Sequence, residues 1–349
     1  MSTSTLPLPS QPSRPVASNT PTGKIQSGIS KRIVAATVAG NALEFYDFVT
    51  YAFFAVYIGK AFFPASTPMG SLLLAVAVFG VGFVMRPVGG ILIGAYADRA
   101  GRKPAMLLTI GLITVGTLGL ALTPSYASIG MAAPIIVVLC RLIQGLALGG
   151  EVGPSTAFLI ESAPASKRGL YGSWQLASQG GATLVAGLLG VAIISLLSPA
   201  DLQAWGWRLP FAVGLLLLPV AVYLRRNMPE TLHDAPAQAD NVGMKGVVRR
   251  KRVILLAIFV IMGGTVSNYV GSYMTTYAIV TLKFSPLIAM GATVMVGIAT
   301  LLFALIGGWL CDRLGRKPVM LWPRIATALL TVPAFMLLVT TRPRPRCWQ

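Results

Sequence analysis

The sequence predicts an all-α polytopic membrane protein of two related halves, a complete first half of six helices and an incomplete second half of about three. Three observations lead there. Hydrophobic residues make up 55% of the chain and charged ones only 11%, where an ordinary soluble domain carries roughly 25% charged. The apolar residues gather into stretches long enough to cross a bilayer core, which takes about 20 helical residues each. Finally, one short charged segment occurs twice: G-A-Y-A-D-R-A-G-R-K-P at 94–104 returns as G-W-L-C-D-R-L-G-R-K-P at 308–318. A repeat at so long a period marks two similar halves rather than a solenoid.

Taken in order, residues 1–30 are rich in Ser, Thr and Pro and lack an apolar run. They read as a disordered cytoplasmic tail and not as a signal peptide. Nine expected spans follow, at 33–58, 71–97, 105–123, 132–160, 170–197, 207–224, 253–281, 286–310 and 318–341. At that depth no water satisfies the backbone, so helix is the state such runs adopt. The domains read as a first half over 31–224, a polar connection over 225–252, a partial second half over 253–341 and a basic tail over 342–349.

Alternate connections carry the basic residues: Lys31 and Arg32, then Arg99, Arg102 and Lys103, then Lys167 and Arg168, then the run from Arg225 to Arg252, then Arg313, Arg316 and Lys317. The opposite connections hold Lys60, Arg208 and Lys283. The positive-inside rule therefore places the N-terminus and both repeated loops in the cytoplasm. The net charge of +18 is spread over these loops and forms no basic domain, which argues against nucleic acid as a partner. Cys140, Cys311 and Cys347 have no metal or disulfide spacing, and His233 is the only histidine, set in the central connection. An enzyme, a metal site and a cofactor are not expected.

Inside the spans the polar residues stand out. Asn41, Glu44 and Asp47 recur every third residue in the first span, on neighbouring helix faces near mid-membrane. A carboxylate at that depth costs roughly 2.5–3.5 kcal/mol unless it is protonated, paired or wetted. Glu44 and Asp47, with Glu151 in the fourth span, are thus candidates for proton coupling; the alternative is that one of them only pairs with an Arg to hold helices together. Arg86 and Arg141 are the cations expected to match them, or to hold a substrate carboxylate bidentately. Gln144, Gln175 and Gln179 offer donors and acceptors without charge, for a ligand or as bridges between helices. In the seventh span Asn268 and a stripe of Tyr269, Tyr273 and Tyr277 suit either a cavity wall, where rings can stack on a quaternary ammonium, or simple packing. Gly90 and Gly94, and Gly149 and Gly153, have the small-xxx-small spacing of close helix contacts.

The repeated loop resembles that of the major facilitator superfamily. Further matches at 40–48 (G-N-A-L-E-F-Y-D-F), 86–90 (R-P-V-G-G), 141–151 (R-L-I-Q-G-L-A-L-G-G-E), 173–179 (S-W-Q-L-A-S-Q) and 205–211 (W-G-W-R-L-P-F) are similar to its metabolite:proton symporter family, the citrate and tricarballylate branch above all. The resemblance covers residues 33–341. It implies two six-helix halves with a substrate site between them, alternating access, a monomer driven by the proton gradient without further cofactor, and a bacterial inner membrane. It implies substrate contact for Asn41, Arg86, Arg141, Gln144, Gln175, Gln179, Asn268 and Tyr273. It also implies a cytoplasmic gate of Gly94, Asp98, Arg99, Gly101, Arg102 and Lys103, with Glu161 and Arg168, and of Gly308, Asp312, Arg313, Gly315, Arg316 and Lys317 in the second copy. The expected activity is proton-coupled uptake of citrate or a similar di- or tricarboxylate. Betaine or proline, 2-oxoglutarate and shikimate stay open as substrates. The repeat maps Gln349 back onto Ile135, so spans ten to twelve are expected to be absent, and a fragment without transport activity is the reading from another class.

Overall fold

In the computed structural model of the chain, the structure describes residues 31–227, 251–280 and 284–340, and these form helices joined by short connections, with no strand among them. The N-terminal tail, most of the central connection with His233, Lys283 and the basic tail at 342–349 lie outside the described residues. The helices are α1 (Lys31–Phe53), α2 (Ala55–Phe62), α3 (Pro68–Ala100), α4 (Arg102–Leu122), α5 (Tyr126–Ile129), α6 (Ala132–Glu161), α7 (Arg168–Leu196), α8 (Pro199–Ala204), α9 (Leu209–Arg226), α10 (Lys251–Val280), α11 (Pro286–Leu314) and α12 (Arg316–Thr340). Among the described residues, α3, α4, α6, α7, α9 and α11 are long and apolar enough to cross a membrane. The remaining expected spans correspond to α1 with its continuation α2, to α10 and to α12; α1, α10 and α12 are 23, 30 and 25 residues long.

Helix starts follow the local chemistry. Thr67 accepts a hydrogen bond from the Gly70 amide (3.1 Å) and Pro68 opens α3, while Ser285 and Pro286 do the same for α11. A hydroxyl at the cap and a proline at the first position satisfy or remove amides that the helix leaves unpaired. Both repeated loops end their helix in one way. Gly101 (φ 110°) and Gly315 (φ 88°) each donate back to the helix, to the Ala97 and Cys311 carbonyls at 3.1 Å. A positive φ at that joint is the reason the loop has a glycine there.

The other long helices of the first half, α3, α4, α6, α7 and α9, pack around α1. Its Phe45, Tyr46, Phe48, Val49, Tyr51 and Phe53 are buried, and the Tyr46 hydroxyl donates to the Pro210 carbonyl at 2.7 Å. Crossing helices meet at glycines. On α3 and α6, Gly145 lies against the Gly82 backbone, Gly89 against Leu146 and Gly149 against Arg86. Gly94 and Gly153 face open space instead, so only Gly149 and, loosely, Gly90 of the expected small-xxx-small pairs serve contact. The two halves meet along α7 and α11, where Gly180 abuts Leu301, Gly187 abuts Val294, Gly297 abuts Leu184 and Gly308 abuts Ser173. α10 lies beside α1 and α11, and α12 beside α11.

Candidate functional site

Two polar clusters occupy the interior of the first half. In one, Arg225 from the last turn of α9 reaches between Glu44 of α1 and Glu151 of α6. Its Nη1 lies 3.3 Å from Glu44 Oε1 and 3.2 Å from Glu151 Oε2, its Nη2 donates to Glu151 Oε1, and Nη1 also donates to the Met106 carbonyl at 2.6 Å. The fork on Glu151 is the bidentate arrangement a planar guanidinium favours. Thr109 of α4 sits between the acids, 3.2 Å from Glu44 Oε1 and 2.9 Å from Glu151 Oε2. All three charged side chains are no more than 2% exposed. Gly40 makes the approach possible, because a Cβ there would overlap the Arg225 guanidinium.

In the second cluster, one turn along α1, Asp47 Oδ2 accepts from the Gln144 amide, which lies 3.0 Å from the Thr117 hydroxyl. Arg141 is within electrostatic reach of Asp47 and lays its guanidinium on the Tyr51 ring, 3.6 Å from the centroid. Asp47 Oδ1 and Arg141 Nε and Nη2 have no hydrogen-bond partner among the described residues. A void of about 10 Å³, lined by Leu43, Ile110, Thr117 and others, touches both Glu44 and Asp47. That is close to the space one water needs.

Arg86, expected to match the acids or to hold a substrate carboxylate, stacks on Phe48 and Phe83, at 4.6 and 4.3 Å. Asn41 and Gln175 are bound to each other: Gln175 Nε2 donates to Asn41 Oδ1 at 2.7 Å, and Asn41 Nδ2 donates to the Gln175 carbonyl at 3.1 Å and to the Ser178 hydroxyl. Gln179 and Tyr273 each line a cavity between the halves. Tyr273 shares a chamber of about 500 Å³ with Tyr51, Phe79 and Phe83, and Gln179 borders one of about 160 Å³. Asn268 lies on α10, with its side chain outside the description.

The two repeated loops differ in what they hold. Asp312 accepts from the amides of Gly169 (2.7 Å) and Leu170 (2.8 Å), at the start of α7 in the other half, where a helix terminus favours an anion. Asp98 pairs with Arg102 of its own loop at 3.0 Å and is 67% exposed. Arg313 stacks on Trp309 at 4.1 Å. Arg99, Glu161, Arg168, Arg316, Lys317 and the joint residue Gly315 are exposed at the same end, Lys103 and Gly94 are half-buried there, Gly101 is buried at its helix joint, and Gly308 is buried inside α11 against Ser173.

Sequence reasoning missed Arg225, which it counted with the basic connection. The structure puts it inside the first half, at 1% exposure, because α9 runs on to Arg226 and turns this residue inward. One signal was available: in the first half Glu44, Asp47 and Glu151 outnumber Arg86 and Arg141, the arginines singled out inside its spans.

Comparison with known proteins agrees with this architecture. A family model described as Major Facilitator Superfamily matches residues 37–344. The chain is 34% identical over 322 residues to a citrate-proton symporter of Klebsiella pneumoniae, covering 88% of this chain and 72% of that protein. It is also 34% identical over 330 residues to a proline/betaine transporter of Salmonella typhimurium, covering 90% of this chain and 66% of that protein. Among solved structures, the proton:xylose symporter XylE bound to 6-bromo-6-deoxy-D-glucose superposes with a TM-score of 0.66 at 20% identity, over 82% of this chain and 70% of that one. At that identity the likeness is one of fold.

Proposed function

The chain belongs to the major facilitator superfamily, a family of multi-pass membrane transporters and not of enzymes, and on that premise we propose that it moves small organic carboxylates together with protons. Citrate or a similar di- or tricarboxylate is the first substrate of this reading, carried by alternating access. The observation that carries it is the pair of carboxylates on one guanidinium. Glu44 and Glu151 share Arg225 in a sealed interior, so two ionised acids would leave one buried negative charge uncompensated, at a cost of several kcal/mol. A single bound proton removes that charge. The water-sized void touching Glu44 and Asp47 supports passage of a proton between the clusters, and Asp47 with Arg141 then couples it to the cleft. Arg141 can hold a substrate carboxylate in the state in which Asp47 is neutral.

A second reading takes a zwitterionic osmolyte. It is favoured by the chamber walled by Tyr51, Phe79, Phe83 and Tyr273, since aromatic faces attract quaternary ammonium groups, and by the proline/betaine relative. In both readings the chain works as a monomer in a bacterial inner membrane, with its N-terminus and both repeated loops in the cytoplasm and the proton gradient as its only energy source.

The test is uptake of labelled citrate by proteoliposomes of the full chain under an imposed pH gradient. Accumulation that a protonophore abolishes, and that Asp47→Asn reduces to exchange without accumulation, supports the reading. Uptake indifferent to the protonophore would sink it, and competition by betaine but not by citrate analogues would move the assignment to the osmolyte.

A further inference from the structure

The chamber of about 160 Å³ lies between the halves, walled by α1, α7, α10 and α11, and none of its lining residues is charged. Its polar wall is Gln179 and Thr183 from one half and Thr275, Thr293 and Thr300 from the other. The hydrogen bonds of these threonines set what the chamber can accept. Thr183 donates to the Gln179 carbonyl at 2.9 Å, and Thr293 donates to the Ala289 carbonyl at 3.3 Å. Thr275 and Thr293 lie 2.7 Å apart, oxygen to oxygen. A hydroxyl has one proton to give, and either hydroxyl of this pair can be the donor, so at least one of their two protons is spent on the protein. The wall is thus neutral throughout, with lone pairs on its hydroxyls and an N–H donor on the Gln179 amide.

A neutral wall without a cation leaves an ionised carboxylate desolvated and without a counter-charge. A quaternary ammonium has no N–H to offer it. A ligand hydroxyl fits: it donates to a threonine oxygen and can accept from the Gln179 amide. We propose that this chamber is the subsite for the hydroxyl of a hydroxylated carboxylic acid, with the ligand's carboxylates left outside it toward the arginine-bearing first half. The proposal rests on the carboxylate reading above and narrows it to hydroxy acids.

The matched ligands are citrate and tricarballylate, which carry the same three carboxylates and differ by the hydroxyl. Equilibrium binding of labelled citrate to the purified full chain in lipid nanodiscs, with tricarballylate as competitor, gives their affinity ratio. Wild type is expected to prefer citrate by about ten-fold, the ratio that one ordinary net hydrogen bond gives. Thr275→Val should bring the ratio to within about two-fold by weakening citrate alone, and Thr275→Ser should restore it, which separates the hydroxyl from packing. An unchanged ratio in Thr275→Val, or equal weakening of both ligands, overturns the subsite while proton-driven citrate uptake still stands. Wild type that binds neither acid overturns the subsite together with the carboxylate reading.

Discussion

Arg225 and Arg226 are neighbours in sequence and opposites in surroundings, the first buried against two carboxylates and the second exposed. A basic pair at the end of an apolar run looks like the edge of a loop, and sequence periodicity cannot say which of two adjacent residues turns inward. The acids were legible because a carboxylate inside a span is rare; the cation was not, because an arginine at a span's end is common. Removing it leaves Glu44 and Glu151 without their counter-charge, so Arg225→Met is expected to cost about 3–5 kcal/mol of stability. Thermal unfolding of the purified protein in lipid checks this. Adding Glu44→Gln to the variant should recover part of the loss, and a single variant as stable as wild type would show that the acids do not need Arg225.

At the scale of helices, glycine spacing marked the right faces and left the points of contact open. Gly149 and Gly153 lie one turn apart on α6, yet only Gly149 meets the backbone of α3, because crossing helices touch over a short stretch set by where their axes intersect. Gly145→Ala places its methyl against the Gly82 backbone, which cannot rotate away, and should destabilise by about 1–3 kcal/mol. Gly153→Ala enters open space and should gain up to about 1 kcal/mol from helix propensity. Unfolding midpoints of the two variants, measured side by side, should move in opposite directions; a shared direction would refute this account of the α3–α6 crossing. The loop glycines were legible outright, since the repeat of Gly101 at Gly315 coincides with the repeat of a positive φ.

For the molecule as a whole, the repeated loops were readable as a pair and their unequal roles were not, because a repeat reports ancestry of each loop and not its neighbours. Asp312 holds the start of α7 through two backbone amides, and Asp98 holds only Arg102. The halves are therefore fastened at this end by the second copy. Asp312→Ala should open the α7–α11 seam there and raise the thiol-labelling rate of a cysteine at position 173, in a Cys311→Ser background, by at least about ten-fold, since two hydrogen bonds to a charged acceptor are lost. Asp98→Ala should leave that rate unchanged. Equal labelling in both variants would mean that the seam closes without Asp312.

The Arg225 cluster also sets a timetable for synthesis. Glu44 waits for a partner 181 residues further along the chain, which a ribosome adding about 5–20 residues per second supplies roughly 10–35 seconds later. Until α9 arrives, α1 carries its acid with no guanidinium to meet it, and so does α6. The ion pairs that tie α1 to α6 through Arg225 therefore form only once α9, the last helix of this half, has been made.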